Sequence, residues 1–255
     1  MPRRARDRLD VRPDPRVLRR FRATLLRWYA RHRRDLPWRR TRDPYRVLVS
    51  EIMLQQTQVD RVVPKFHEFL ARYPTLEALA AAEVAEVKRA WYPLGYNIRP
   101  VHLHGIARET VARYGGRLPE DERALRAMKG IGRYTAGAVR AFAYGARAPI
   151  LDTNVRRVLG RVFHGAEGRR LPASAMWALA ERILPRARVY DFNQGLMDFG
   201  ATWCTARTPR CAPCPLRRIC RAYPWDGGRT PGGRRPPGAP EPDLAGRRRP
   251  SAPSR

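Results

Sequence analysis

Cys204, Cys211, Cys214 and Cys220 are the only cysteines in the chain, spaced C-x6-C-x2-C-x5-C. Four thiolates so close in sequence can converge on one inorganic centre. An iron–sulfur cubane takes four cysteine ligands. Tetrahedral zinc is the rival, but structural four-cysteine zinc sites usually present two separated C-x2-C pairs. Here only Cys211 and Cys214 form such a pair. Two disulfides would need an oxidising compartment, and Met1-Pro2-Arg3-Arg4 opens no apolar secretory segment. The spacing favours a cluster over zinc, and zinc over disulfides.

Two carboxyls could do proton and charge chemistry. Glu51 has Val49, Ile52 and Met53 around it. A carboxyl in apolar surroundings has a raised pKa and can hold a proton near neutrality. The plainer alternative is an ion pair with one of the many arginines. Asp152 follows the apolar run Pro149-Ile150-Leu151 and precedes a helical stripe. It reads first as a helix N-cap, and second as a fixed anion facing a developing cation. Gln55 and Gln56 are amides on an otherwise apolar helix, either solvated or free to bond base edges. Gly130-Ile131-Gly132 lies between two helical stretches. Its glycines let the backbone approach a surface closely, and the free N–H groups that follow suit a phosphate.

The elements that must position these residues are helices. Val17, Phe21, Leu25 and Tyr29 form one apolar stripe. A second helix opens near Asp43-Pro44, and a third carries Val59, Val62, Val63, Phe66 and Leu70. Pro74-Thr75 ends that helix and caps the next. Stripes follow at Val84–Trp91, Val101–Tyr114, Thr135–Tyr144, Val155–Phe163, Met176–Leu184 and Phe192–Phe199. Ala146–Leu151 could form one short strand. The fold class is all-α.

The chain has 255 residues, with 52 Lys plus Arg against 23 Asp plus Glu, a net charge of +29. That favours a polyanionic partner, nucleic acid first. Only Lys65, Lys88 and Lys129 are lysines, so genomic base composition also contributes to the arginine bias. No apolar run approaches a membrane span. Residues 224–255 hold eight Pro, six Gly and seven Arg without apolar periodicity, which reads as disorder.

Leu36-Pro37-Trp38, Ser50–Val59, Leu94-Gly95-Tyr96, Gly130–Ala136, Leu151–Val155, Phe192-Asn193-Gln194 and the four cysteines occur in that order. In these motifs the chain resembles the endonuclease III superfamily of base-excision DNA glycosylases. Ser50–Gln58 resembles its adenine-glycosylase (MutY-type) branch. The resemblance implies a two-lobed helix-hairpin-helix fold with a C-terminal [4Fe–4S] cluster loop held by the four cysteines. It divides the chain into a disordered basic arm (1–13), an N-terminal helix (14–36), a six-helix barrel lobe with the hairpin (37–146), a cluster lobe (147–223) and the tail (224–255). The N-terminal helix would pack with the cluster lobe. The Nudix-like C-terminal domain of full adenine glycosylases is expected to be absent.

The activity so implied is hydrolysis of the N-glycosidic bond of adenine mispaired with guanine or 8-oxoguanine. Glu51 would protonate adenine, Asp152 would stabilise the oxocarbenium-like sugar, and Asn154 would orient these groups or water. Arg39, Leu54 and Gln194 match positions around the extruded adenine. Gln56 and Tyr96 match positions that probe the stack near the opposing base. Tyr134 stands where strand-cutting relatives carry a lysine, and it lacks the amine that Schiff-base chemistry needs. A monofunctional enzyme is expected. The implied partner is double-stranded DNA with mismatched or damaged pairs, bound by a monomer in the cytoplasm, at the nucleoid. Two rivals remain: a thymine/uracil glycosylase for T:G or U:G mismatches, and a non-catalytic cluster-containing DNA-binding protein.

Overall fold

A computed structural model describes residues 13–225, with residue 97 excepted. The expected basic arm and Pro/Gly/Arg-rich tail lie almost wholly outside the described residues. Within them are α1 (Pro15–His32), α2 (Pro44–Met53), α3 (Val59–Arg72), α4 (Leu76–Ala81), α5 (Val84–Trp91) and α6 (Ile98–Tyr114). They are followed by α7 (Glu122–Ala127), α8 (Arg133–Phe142), α9 (Thr153–His164), α10 (Ala173–Ile183) and α11 (Val189–Thr202). Short 3-10 turns lie at Pro37–Arg39, Gly165–Arg169 and Arg217–Ile219.

Local chemistry sets the helix starts. The Asp14 carboxylate accepts from the N–H groups of Arg16 and Val17, and Pro15 takes the first helical position. Asp43 caps α2, Thr75 caps α4 and Asp121 caps α7, each accepting one orphan N–H of its first turn. α7 is the helical stretch expected ahead of the hairpin turn, and it is only six residues long. It buries a single apolar residue, Leu125, so it shows no stripe. The span for which six helices were expected holds seven α-helices among the described residues, two of them only six residues long.

Packing divides the helices into two groups. α6 packs on α4 and α5, α2 packs on α8, α3 and α6, and α7 packs on α8. In the second group α1 packs on α11, α11 on α9, and α9 on α10. Contacts between α8 and α11 join the groups. Phe21 of α1 meets Phe163 of α9 and Phe192 of α11 edge-on, with ring centroids 5.0 and 6.0 Å away. Phe21→Ala would cost about 3–5 kcal/mol by the usual core penalty.

Ala146–Leu151 is not a strand, and no strand exists among the described residues. The segment has no extended neighbour to pair with. Its polar backbone is satisfied otherwise: Asn193 Nδ2 donates to the Ala148 carbonyl oxygen at 2.9 Å. No helix among the described residues is long and apolar enough to cross a membrane.

Candidate active site

Glu51 lies in the last turn of α2, where every residue from Val47 to Met53 is buried. Its side chain is 5% exposed. Burial pushes its pKa up to about 7. A hydrogen-bonding contact with Tyr134 pulls the other way, the nearby Asp152 charge adds to the rise, and the Arg39 charge opposes it. Tyr134, the second residue of α8, also donates to the Met197 sulfur at 3.4 Å. Burial first, then Glu51 and Asp152, hold its phenol well above the usual range, so it remains a neutral donor.

Asp152 is both the cap and a member of this cluster. Its Oδ1 accepts from the Val155 N–H at 2.6 Å, and its Oδ2 accepts from Asn154 Nδ2 at 3.1 Å. The positive end of a helix favours an anion at its cap, which predicts a low Asp152 pKa. The net direction is the opposite: burial raises the Asp152 pKa and outweighs the Val155 and Asn154 bonds and the Arg157 charge.

The guanidinium of Arg39 forks onto Asp198, with Nη1–Oδ2 at 2.7 Å and Nη2–Oδ1 at 2.9 Å. Arg34 Nε adds a third bond to Asp198 Oδ1 at 2.6 Å. Burial works against the charge on Asp198, yet both guanidiniums hold its pKa below the usual carboxylate range. Arg39 therefore has both terminal nitrogens committed to the protein, and only its Nε lacks a partner. Tyr190, Gln194 and Asp198 follow one another at four-residue spacing along α11 and so share a face. Tyr190 donates to the Arg39 carbonyl oxygen at 3.2 Å. Gln194 is 3% exposed and its Oε1 accepts no hydrogen bond.

The remaining expected residues lie in three other places. Leu54 and Gln55 are half-buried and Gln56 is exposed in the turn that follows α2. Tyr96, 59% exposed, lies in the turn before α6. Gly130 and Gly132 are exposed in the hairpin turn, whereas Ile131 is buried and anchors it. Gly130 has φ +102°, and a Cβ there would stand 2.7 Å from the His102 Cβ. Gly132 begins α8 with no side-chain cap, which leaves the first N–H groups of that helix open.

Cys204, Cys211, Cys214 and Cys220 line one cavity together with Arg161, Trp203 and Leu216. Arg161 Nη1 approaches the Cys204 sulfur at 3.4 Å and donates to the Thr205 carbonyl oxygen at 2.6 Å. Burial pushes the Cys214 and Cys220 thiols up to about 11. Among the described residues no set of three or more His, Cys, Asp or Glu closes on a single metal ion. Four thiols around one chamber are the donor set that an iron–sulfur cubane would require.

Residues 49–183 match the family described as HhH-GPD superfamily base excision DNA repair protein. The chain belongs to this superfamily. It is 47% identical over 198 residues to an adenine DNA glycosylase of Mycolicibacterium smegmatis, covering 77% of this chain and 67% of that one. It is 43% identical over 213 residues to the human adenine DNA glycosylase, covering 79% of this chain and 39% of the human protein. The chain thus spans well under half of the human relative's length. A solved thermostable thymine-DNA glycosylase superposes with a TM-score of 0.78 at 36% identity, covering 82% of this chain and 97% of that one.

The matched segment of this HhH-GPD chain contains Glu51, the hairpin, Tyr134 and Asp152, and ends before α11 and the cysteines. Met197 and Asp198 of α11, and Arg99 and Arg157, were not singled out from the sequence. In a chain with 52 basic residues, one arginine carries no signal by itself.

Proposed function

We propose that this chain is a monofunctional DNA glycosylase that hydrolyses the N-glycosidic bond of adenine paired with guanine or 8-oxoguanine. One observation carries the reading: a carboxyl on an apolar helix, buried and with its pKa pushed to about 7, stands beside Tyr134 and Asp152. At neutral pH Glu51 keeps a proton to give to a ring nitrogen of adenine. The base then leaves as a neutral species, taking the electron pair of the bond to C1′. Asp152 faces the cationic sugar, and the Asn154 and Val155 N–H donors support its anionic form against burial. Water completes the reaction at C1′. The unpartnered Gln194 Oε1 is suited to accept from the exocyclic amine of adenine, a donor that thymine and uracil do not present there. The adenine DNA glycosylases among the relatives support the same substrate.

The partner is duplex DNA, with the target base extruded into the cleft. The open N-terminus of α8 at Gly132 offers N–H groups to a phosphate, and the net charge of +29 supports binding. The four cysteines would hold a [4Fe–4S] cluster, whose contribution is to fasten the loop after α11. Anaerobically purified protein is then brown with broad visible absorbance. Colourless protein with one equivalent of zinc overturns the cluster.

A thymine/uracil glycosylase is the second reading, favoured by the thymine-DNA glycosylase that matches along 97% of its length. A panel of A:G, A:8-oxoG, T:G and U:G duplexes, alkali-treated after incubation, decides. Excision at A:G and A:8-oxoG, with strands intact until alkali, is expected. Excision confined to T:G and U:G replaces adenine with pyrimidine, and binding without excision at any pair leaves only a DNA-binding protein. Borohydride traps no amine-linked adduct, because Tyr134 offers no amine.

A further inference from the structure

Arg99 is 5% exposed, near the start of α6, and no carboxylate among the described residues pairs with it. Its guanidinium instead holds two separate turns. Nη1 donates to the carbonyl oxygens of Ile52, Met53 and Gln55, at 3.0, 2.9 and 2.5 Å. Nη2 donates to Thr57 Oγ1 at 3.1 Å and to the carbonyl oxygens of Leu94 and Gly95, at 3.0 and 3.1 Å. One side of the fork thus grips the end of α2 and the other reaches the turn before α6. The guanidinium carbon also lies 5.3 Å from the Tyr96 ring centre and 5.4 Å from that of buried Trp91.

Each gripped turn contains a non-glycine residue in the left-handed region: Gln56 with φ +57° and Tyr96 with φ +48°. Such backbone is disfavoured for an L residue and persists only where its surroundings fix it. Both residues are exposed. Tyr92 and Ile98, flanking the second turn, are exposed too, at 76% and 57%. A buried cation without a counter-ion, spread over six acceptors, is costly as mere stability and effective as a register device. Lysine cannot replace it, since one ammonium lacks the planar fork.

We propose that Arg99 is a positioning residue that locks Gln56 and Tyr96 into one rigid probe for the base opposite the extruded nucleotide. The assignment rests on the glycosylase reading above and on the resemblance that matches Gln56 and Tyr96 to positions beside the opposing base. Arg99 touches no reacting atom. It sets the distance between an amide and an aromatic ring that enter the stack together, so its loss costs discrimination rather than chemistry.

The test is single-turnover excision at saturating protein by wild type, Arg99→Lys and Thr57→Val. The duplexes carry adenine opposite 8-oxoguanine or opposite an abasic site, and 2-aminopurine beside the opposing position reports unstacking. In Arg99→Lys the ratio of the two rates falls at least tenfold, and the 2-aminopurine signal on binding is lost. A purely structural defect lowers both rates alike and leaves the ratio, and that outcome overturns the proposal. Thr57→Val removes only the side-chain acceptor, so its ratio falls about threefold. If Arg99→Lys does not fold, the Thr57→Val ratio decides alone, and an unchanged ratio overturns the proposal. Wild type that excises no adenine from either duplex refutes the substrate reading instead, while the 2-aminopurine signal still tests the clamp.

Discussion

Arg157 fastens Asn154 to the cysteine loop: its Nη2 donates to Asn154 Oδ1 at 2.8 Å, and its Nε to the Cys204 carbonyl oxygen at 2.8 Å. Asn154 in turn donates to Asp152 Oδ2 at 3.1 Å. The Asp152 carboxylate and the first cysteine therefore share one run of hydrogen bonds. The run exists because α9 and α11 approach closely. A Cβ at Gly200 would stand 2.7 Å from the Asn154 Cβ.

Removing that guanidinium releases Asn154 Oδ1, takes a donor from the Gly200 carbonyl, and leaves the Cys204 carbonyl only the longer approach of Arg161 Nη1 at 3.5 Å. Arg157→Met is expected to lower single-turnover excision at least tenfold while duplex affinity changes less than threefold, as for a group that orients a catalyst. A gel-shift titration beside rapid-quench kinetics separates the two effects. Equal loss in both would make Arg157 a folding residue only.

As the proposed general acid, Glu51 can act only while protonated. With its pKa pushed to about 7, excision declines as pH rises through about 7. Glu51→Gln and Asp152→Asn each lower the single-turnover rate at least about a hundredfold, and both variants still bind mismatched duplex. A Glu51→Gln enzyme that cleaves at near wild-type rate removes the chemical basis of the adenine reading.

The same carboxyl should limit stability. Its folded-state pKa is raised from 4.5 to about 7, so the folded state binds the proton more tightly than the unfolded chain. The associated stability is complete below about pH 4.5 and is lost as pH rises through about 7. Glu51→Gln, which stays neutral, is therefore expected to be more stable than wild type at pH 8 by roughly 1–3 kcal/mol. The advantage should shrink toward zero near pH 4. Thermal melts at the two pH values check the sign, and a variant less stable at pH 8 contradicts it.

The hairpin glycine has no substitute. Gly130→Ala places a side chain at φ +102° and against His102. It should destabilise the protein by about 1–3 kcal/mol and weaken duplex binding. Gly132→Ala meets nothing within 4 Å and should be much milder in melting temperature. Comparable losses from both substitutions would mean that backbone strain is not what the first glycine relieves.

Local signals in the sequence determined the helices and their starts. The stripe through Phe21, Leu25 and Tyr29 became the buried face of α1, and Asp43, Thr75 and Asp152 cap helices as their positions implied. Periodicity and capping act within one or two turns, so a single chain segment suffices to reveal them. The apolar neighbours of Glu51 likewise announced its raised pKa. What tertiary structure alone decided is which distant groups meet. Asp198 reads as one more polar residue on a helix until α11 brings it against Arg39 and Arg34. Arg99 and Arg157 are two arginines among many until the fold gives each its acceptors. The net rise in the Asp152 pKa follows the same rule. The cap bond is local and could be read in advance, but the burial that outweighs it belongs to helices packed from far along the chain.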